Sequence, residues 1–146
     1  MINVSTIGFT KTNAKGFFDR LLNSGVKKVV DVRLNNTSQL SGFAKANDLA
    51  YFLEKIGGIQ YAHQPLLAPT ESMLKAYKKE KGEWKDYEVK FMNLMAQRKI
   101  ENQLKPEMFE SVCLLCSEDT PHHCHRRLVV EYLNIKWNSS LSVSHL

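Results

Sequence analysis

CLLCSEDTPHHCHRRLVVEYL, residues 113–133, runs from an apolar segment through a polar turn into an amphipathic helix. The turn holds Glu118, His122, His123, Cys124, His125, Arg126 and Arg127. A strand that feeds a short reactive loop and then a helix N-terminus is an arrangement with which α/β proteins bind anions and lower thiol pKa values. The segment thus points to a fold class and to a place in that fold where chemistry belongs.

The rest of the chain reads as strands and helices in alternation. Residues 2–7 form a β-rich run that ends at Gly8. Asn13 is an N-cap for a helix to about Ser24, with Gly25 at its C′ position. Val29, Val30 and Val32 give residues 26–32 β-branched strand character. A helix over residues 48–56 is closed by Gly57 and Gly58, and a short strand follows over 59–62. Thr70 caps a helix to about Lys79, Gly82 interrupts, and a longer helix runs from Trp84 to about Ile100. Residues 111–116 form a buried strand, the next helix runs from Cys124 or His125 to Asn134, and residues 141–146 suit a last strand. This alternation predicts a three-layer α/β sandwich: a mainly parallel central sheet with helices on both faces.

Composition bounds the reading. A chain of 146 residues is expected to form a single domain, residues 1–146. Hydrophobic content of 43% and charged content of 24% are ordinary for a soluble globular protein. No apolar run approaches the roughly 20 residues that span a bilayer, so no membrane partner is expected. The start, MINVSTIGFT, has neither the basic n-region nor the apolar h-region of a signal peptide. Three cysteines do not make a secreted disulfide framework, so the expected location is cytoplasmic, with reduced thiols. A net charge of +5 suits an anionic small molecule or nucleic acid as partner. The lysines of residues 75–90 alternate with acidic residues and read as a solvated helical face. Oligomeric state is not legible.

In open parallel sheets, ligands bind outside the carboxyl ends of the strands. The strand ends here carry Gly8 and Thr10, Asp31 and Arg33, Tyr61 and His63, Cys116 and Glu118, and His145. Asp31 and Arg33 are two apart and share one strand face. They form either a salt bridge that holds the next loop or a site where Arg33 grips an anion while Asp31 orients it or acts as base. Glu118 either bridges to Arg126 or serves as general acid/base. Cys124, at the helix start beside Arg126 and Arg127, is the expected low-pKa thiol and serves either as nucleophile or as a structural residue. Cys113 faces the opposite side of its strand from Cys116 and is read as core. The cysteinyl-phosphatase spacing is not met, because Val130 stands where the arginine belongs. Zinc is the alternative chemistry for Cys116, His122, His123, Cys124 and His125, but their spacing matches no zinc finger or ribbon. No metal and no cofactor is assigned.

Read together, TIGFT at 6–10, DVR at 31–33 with Ser38 downstream, IQY at 59–61, LLCSE at 114–118 and CHR at 124–126 resemble one family, the domain of unknown function 488 (DUF488). The pieces span nearly the whole chain in the family's order. Cys-x-Glu followed by Cys-His-Arg at this spacing is the specific part. The resemblance implies a compact three-layer α/β fold and names the site better than a reaction. Asn36 and Gln39 stand where the family tends to have proline and arginine, which implies a less rigid loop and one cationic contact fewer.

The expected site thus joins Cys124, Glu118 and Asp31 as catalytic candidates to Gly8, Thr10, Arg33, His125 and Arg126 as ligand-binding candidates. Arg33, Glu118 and Arg126 are expected around one pocket, and Cys116 close to Cys124. The expected function is an enzyme acting on an anionic nucleotide or nucleic-acid component. The alternative is a non-catalytic module that binds nucleic acid or a phosphorylated metabolite.

Overall fold

The computed structural model describes residues 1–36, 42–118 and 122–146. Ser38 and Gln39 lie outside the described residues. In chain order the elements are β1 (Ile2–Gly8), α1 (Ala14–Asn23), β2 (Lys28–Asp31), α2 (Ala46–Gly57), β3 (Gln60–His63), α3 (Glu71–Leu74), α4 (Trp84–Arg98), α5 (Ile100–Gln103), β4 (Val112–Cys116), α6 (His125–Lys136) and β5 (Leu141–His145). All strand pairs are parallel, in the order β3-β2-β4-β1-β5. The protein is α/β, as expected.

Local signals explain most boundaries. The Asn13 side chain accepts from the Gly16 amide and starts α1. Gly25 takes φ +67° just past its end. Gly58, with φ +61°, closes α2 in the left-handed conformation that glycine reaches without a Cβ penalty. Thr70 accepts from the Met73 amide, but the helix it opens is regular only to Leu74. It widens into a π-helical turn over Lys75–Lys79. Strand β2 is shorter than its valines suggest. The Val26 amide is used by the carbonyl of Leu21, which ends α1, and the chain joins the sheet only after Lys27 pairs with Ser111.

Alternation along β4 divides the core. Val112, Leu114 and Cys116 face one layer with Tyr87, Phe91 and Met95 of α4 and Leu128, Val129 and Leu133 of α6. Cys113 and Leu115 face the other with Phe17, Phe18 and Leu21 of α1 and Leu49 and Leu53 of α2. The helices after β1 and β2 thus cover one face, and the helix after β4 covers the other. Adjacent strands whose connections leave to opposite faces open a crevice at their carboxyl ends. Here β4 is flanked on both sides by such neighbours, so the crevice forms where β4 ends, at Cys116.

Candidate functional site

Cys116 is buried, as are Cys124 at the cap position of α6 and His125 in its first turn. The two sulfurs and the imidazole nitrogen lie within 4.8 Å of one another. His125 Nε2 is 2.7 Å from the carbonyl oxygen of Val32. A carbonyl only accepts, so Nε2 carries a hydrogen and donates it. Nδ1 is then left facing Cys116 Sγ at 3.4 Å. One backbone bond from the end of β2 thus sets the tautomer and aims a lone pair at the thiol.

The two thiols differ in electrostatics. Burial raises Cys116, but a hydrogen bond from Cys124, the charge of Arg126 and the amides of Ser117 and Glu118 outweigh it, so its pKa is lowered. Burial pushes Cys124 well up, and the neighbouring Cys116 pushes it further. Of the two, Cys116 is the thiol that ionises more readily, with Cys124 staying protonated beside it. This corrects the expectation that the helix start makes Cys124 the low-pKa thiol. Cys124 is the donor, and the thiol with the lowered pKa sits at the strand end, where loop amides and a buried guanidinium converge. Cys113 is core, and burial pushes it up to about 12.

Arg126 is fully buried and forms no ion pair among the described residues. Its Nη1 donates to the Glu118 carbonyl at 2.6 Å and its Nε to Thr6 Oγ1 at 3.3 Å. Thr6 Oγ1 is 2.6 Å from His145 Nδ1, and burial together with the Arg126 charge holds His145 below its ordinary pKa. The guanidinium underpins the loop after β4 and supplies positive charge to Cys116 from behind. It is not among the residues that line the cavity, and the contacts it makes support the loop.

Gly8 and Thr10 support the same loop from β1. Ser117 O accepts from the amides of Phe9 and Thr10 and from Thr10 Oγ1. A Cβ at Gly8 would stand 1.4 Å from the Glu118 carbonyl oxygen. TIGFT therefore clamps the loop and does not touch the cavity. Asp31 and Arg33 form a salt bridge, the first of the two readings of DVR. Arg33 Nε and Nη2 donate to the two Asp31 oxygens at 2.9 and 2.7 Å, and Nη2 also donates to the Ala44 carbonyl. Tyr61 OH donates to Asp31 at 2.6 Å. Burial and that bond push Tyr61 up to about 12, so it stays a neutral donor. His63 Nε2 donates to the Arg33 carbonyl at 2.7 Å. With Nε and Nη2 both engaged, Arg33 braces the chain after β2.

A cavity of about 250 Å³ opens above Cys116, Cys124 and His125. It is also lined by Arg33, Leu34, Asn35, Leu74, Tyr77, Lys78, Trp84, Tyr87, Ser117, Glu118 and His123. Of the expected residues it unites Arg33, Glu118, Cys124 and His125, and it leaves Gly8, Thr10, Asp31 and Arg126 outside. Trp84 stacks on Tyr87 and on His123, both at 5.1 Å between ring centroids. At the rim Lys78 Nζ meets Glu118 Oε1 at 2.5 Å, so Glu118 pairs with Lys78 and not with Arg126. Burial works against the Lys78 charge, but Glu118 outweighs it and the pKa is raised.

Lys78 and the aromatic side of the cavity are not legible in the sequence as site residues. Lys78 is hidden in a run that reads as a solvated face, and Tyr87 reads as core. The usable signal is Tyr77, Trp84 and Tyr87, three aromatics within eleven residues of a lysine-rich stretch.

Cys116, Cys124 and His125 are the one group among the described residues whose donor atoms could hold a metal ion together. Three such donors and an open position toward the cavity are the make-up of a catalytic zinc centre. The buried charge of Arg126 opposes a dication there and matches a free thiolate.

An all-parallel α/β protein with a buried cysteine–histidine pair at the carboxyl end of its central strand is the class that fold and site define. The chain belongs to the family described as domain of unknown function DUF488, which matches residues 13–133. That span includes DVR, LLCSE and CHR and leaves TIGFT and β5 outside. No curated protein and no solved structure matches the chain. No helix among the described residues is long and apolar enough to cross a membrane.

Proposed function

We propose that this protein is a thiol-dependent enzyme that acts on an anionic, planar ligand, a nucleotide or nucleic-acid component, held in the cavity at the end of β4. The observation that carries the reading is the Cys116–His125 contact at the buried end of that cavity. Cys116 Sγ is the nucleophile. His125 Nδ1 takes the thiol proton, and the Nε2–H bond to Val32 steadies the imidazolium that results. Cys124 donates to the thiolate. Glu118, at the rim with Lys78, is the group placed for proton transfer to the leaving part of a ligand. Asp31 acts through Arg33 as a positioning residue.

The ligand class rests on two features. Trp84, Tyr87 and His123 present stacked ring faces beside the cavity, and a planar base binds such faces. Lys78 and the first-turn amides of α6 favour negative charge. We take residues 1–146 as one domain acting in the cytoplasm, where thiols stay reduced.

The test is timed iodoacetamide labelling with peptide mapping, with and without nucleoside monophosphates or short single-stranded oligonucleotides. Cys116 is expected to label first and to be protected by at least one of these probes. Binding seen by Trp84 fluorescence, with Cys116 as inert as Cys113, would instead favour the non-catalytic binding module.

A further inference from the structure

Cys124 does more here than a hydrogen-bond donor requires. A serine would donate to a thiolate as well, yet the chain places a second sulfur within 4.8 Å of Cys116, closed off from bulk solvent and beside an imidazole. Cys124 caps α6 without using its side chain for the cap, so the thiol is free to turn toward Cys116. The third sulfur, Cys113, lies across the sheet in the other core layer, out of reach of both. A disulfide needs sulfurs at about 2.05 Å and Cα atoms within about 7 Å, and these two sulfurs already lie within 4.8 Å of each other. The cavity gives a small oxidant a way in to two sulfurs that are otherwise buried.

We propose that Cys116 is a site of reversible oxidation by hydroperoxides, with Cys124 as the thiol that resolves the product into an intrachain disulfide. The inference rests on Cys116 being the reactive thiolate of the proposed enzyme, and it names how that site is switched off and protected. In the first step Cys116 Sγ attacks one peroxide oxygen and the O–O bond breaks. Sulfur is oxidised by two electrons to the sulfenic acid. The other oxygen leaves as hydroxide or alkoxide and takes a proton from the His125 imidazolium. In the second step Cys124 gives its proton to His125 Nδ1 and its sulfur attacks Cys116 Sγ. The S–O bond breaks and hydroxide leaves, protonated to water. An external dithiol restores both thiols. The lowered Cys116 pKa and the raised Cys124 pKa agree with these roles, a thiolate that reacts first and a thiol that waits.

The experiment treats the full chain with hydrogen peroxide near stoichiometric amounts, blocks remaining thiols and maps cysteines after cleavage at Glu118. That cut separates Cys116 from Cys124 and leaves Cys113 on the Cys116 peptide, where fragment masses tell the blocked thiol from the bridged one. The expected result is one disulfide between these two peptides, loss of two free thiols per chain, an unreacted Cys113 and full reversal by dithiothreitol. Cys113→Ser is expected to form the same bond. Cys124→Ser is expected to lose the bond and to carry Cys116 on to sulfinic acid that dithiothreitol does not reverse. A disulfide through Cys113, or Cys116 oxidising no faster than Cys113, overturns the proposal. So does zinc held stoichiometrically by the purified chain with the thiols insensitive to peroxide. Rapid iodoacetamide labelling of Cys116 without disulfide formation sinks this inference and leaves the nucleophile standing. A Cys116 inert to both reagents sinks both.

Discussion

The charge on one sulfur rests on a few neighbours that can be changed singly. Burial alone drives a thiol up, as at Cys113, pushed to about 12. Cys116 is equally enclosed and goes the other way because of Cys124, Arg126 and two loop amides. Its alkylation rate is expected to follow thiolate population, with a midpoint at lower pH than that of an unperturbed cysteine. Arg126→Met removes the buried positive charge. The midpoint should then move to higher pH, and labelling at any pH below the midpoint should fall by up to about tenfold for every pH unit by which it rises. Arg126→Lys should recover part of the loss. An unchanged profile in Arg126→Met would show that the guanidinium only supports the loop. The two sulfurs can be read from the sequence as neighbours across a turn. Which of them carries the charge cannot. That depends on β1, which brings Thr6 to Arg126, and on the end of β2, which brings the Val32 carbonyl to His125, both from more than 90 residues away in the chain.

At the scale of elements, two loops carry the site; TIGFT, which braces one, reads in the sequence as ligand contact, and DVR, which braces the other, reads as either a brace or a ligand contact. The loop after β4 rests on Gly8, Thr10 and Arg126. Gly8→Ala puts a Cβ into the Glu118 carbonyl, a backbone group that cannot rotate away. The expected cost is about 1–3 kcal/mol, the range for overpacking, together with slower Cys116 labelling as the loop shifts. Urea titration and timed labelling check the two parts. Full stability with unchanged labelling would mean that the loop is not clamped there. The loop after β2 rests on the Asp31–Arg33 pair. Asp31→Asn leaves Arg33 buried without its counter-charge and is expected to cost about 3–5 kcal/mol by urea titration. The double substitution Asp31→Leu with Arg33→Met should cost less than Asp31→Asn alone. These elements show how far pattern reading goes. Caps at Asn13, Thr70 and Gly58 and the alternation of β4 are legible because they are local. The π-helical turn over Lys75–Lys79, which brings Lys78 to Glu118 across 40 positions, is not. Helical periodicity places that lysine on a solvated face, and only the fold supplies its partner.

At the scale of the whole molecule, two apolar layers meet across one sheet, and the site depends on both. Cys116 and His125 belong to the layer of α4 and α6, while the Asp31–Arg33 brace reaches Ala44 and Phe9 in the layer of α1 and α2. If residues 1–146 fold as one domain, the layers cannot come apart separately. The distribution of tryptophan makes this measurable. Trp84 and Trp137 both pack against the α4/α6 layer, and the other layer is built around Phe9, Phe17 and Phe18. Tryptophan fluorescence therefore reports one side of the sheet, whereas far-ultraviolet circular dichroism reports helices on both. Unfolding in urea is expected to give one transition with the same midpoint by the two probes. Its slope should lie in the range of about 1–3 kcal/mol/M found for small proteins. A dichroism change that precedes the fluorescence change would mean that α1 and α2 leave while the thiol layer persists. Cys116 labelling in the urea range between the two transitions would then decide whether the Arg33 side is needed to hold the site.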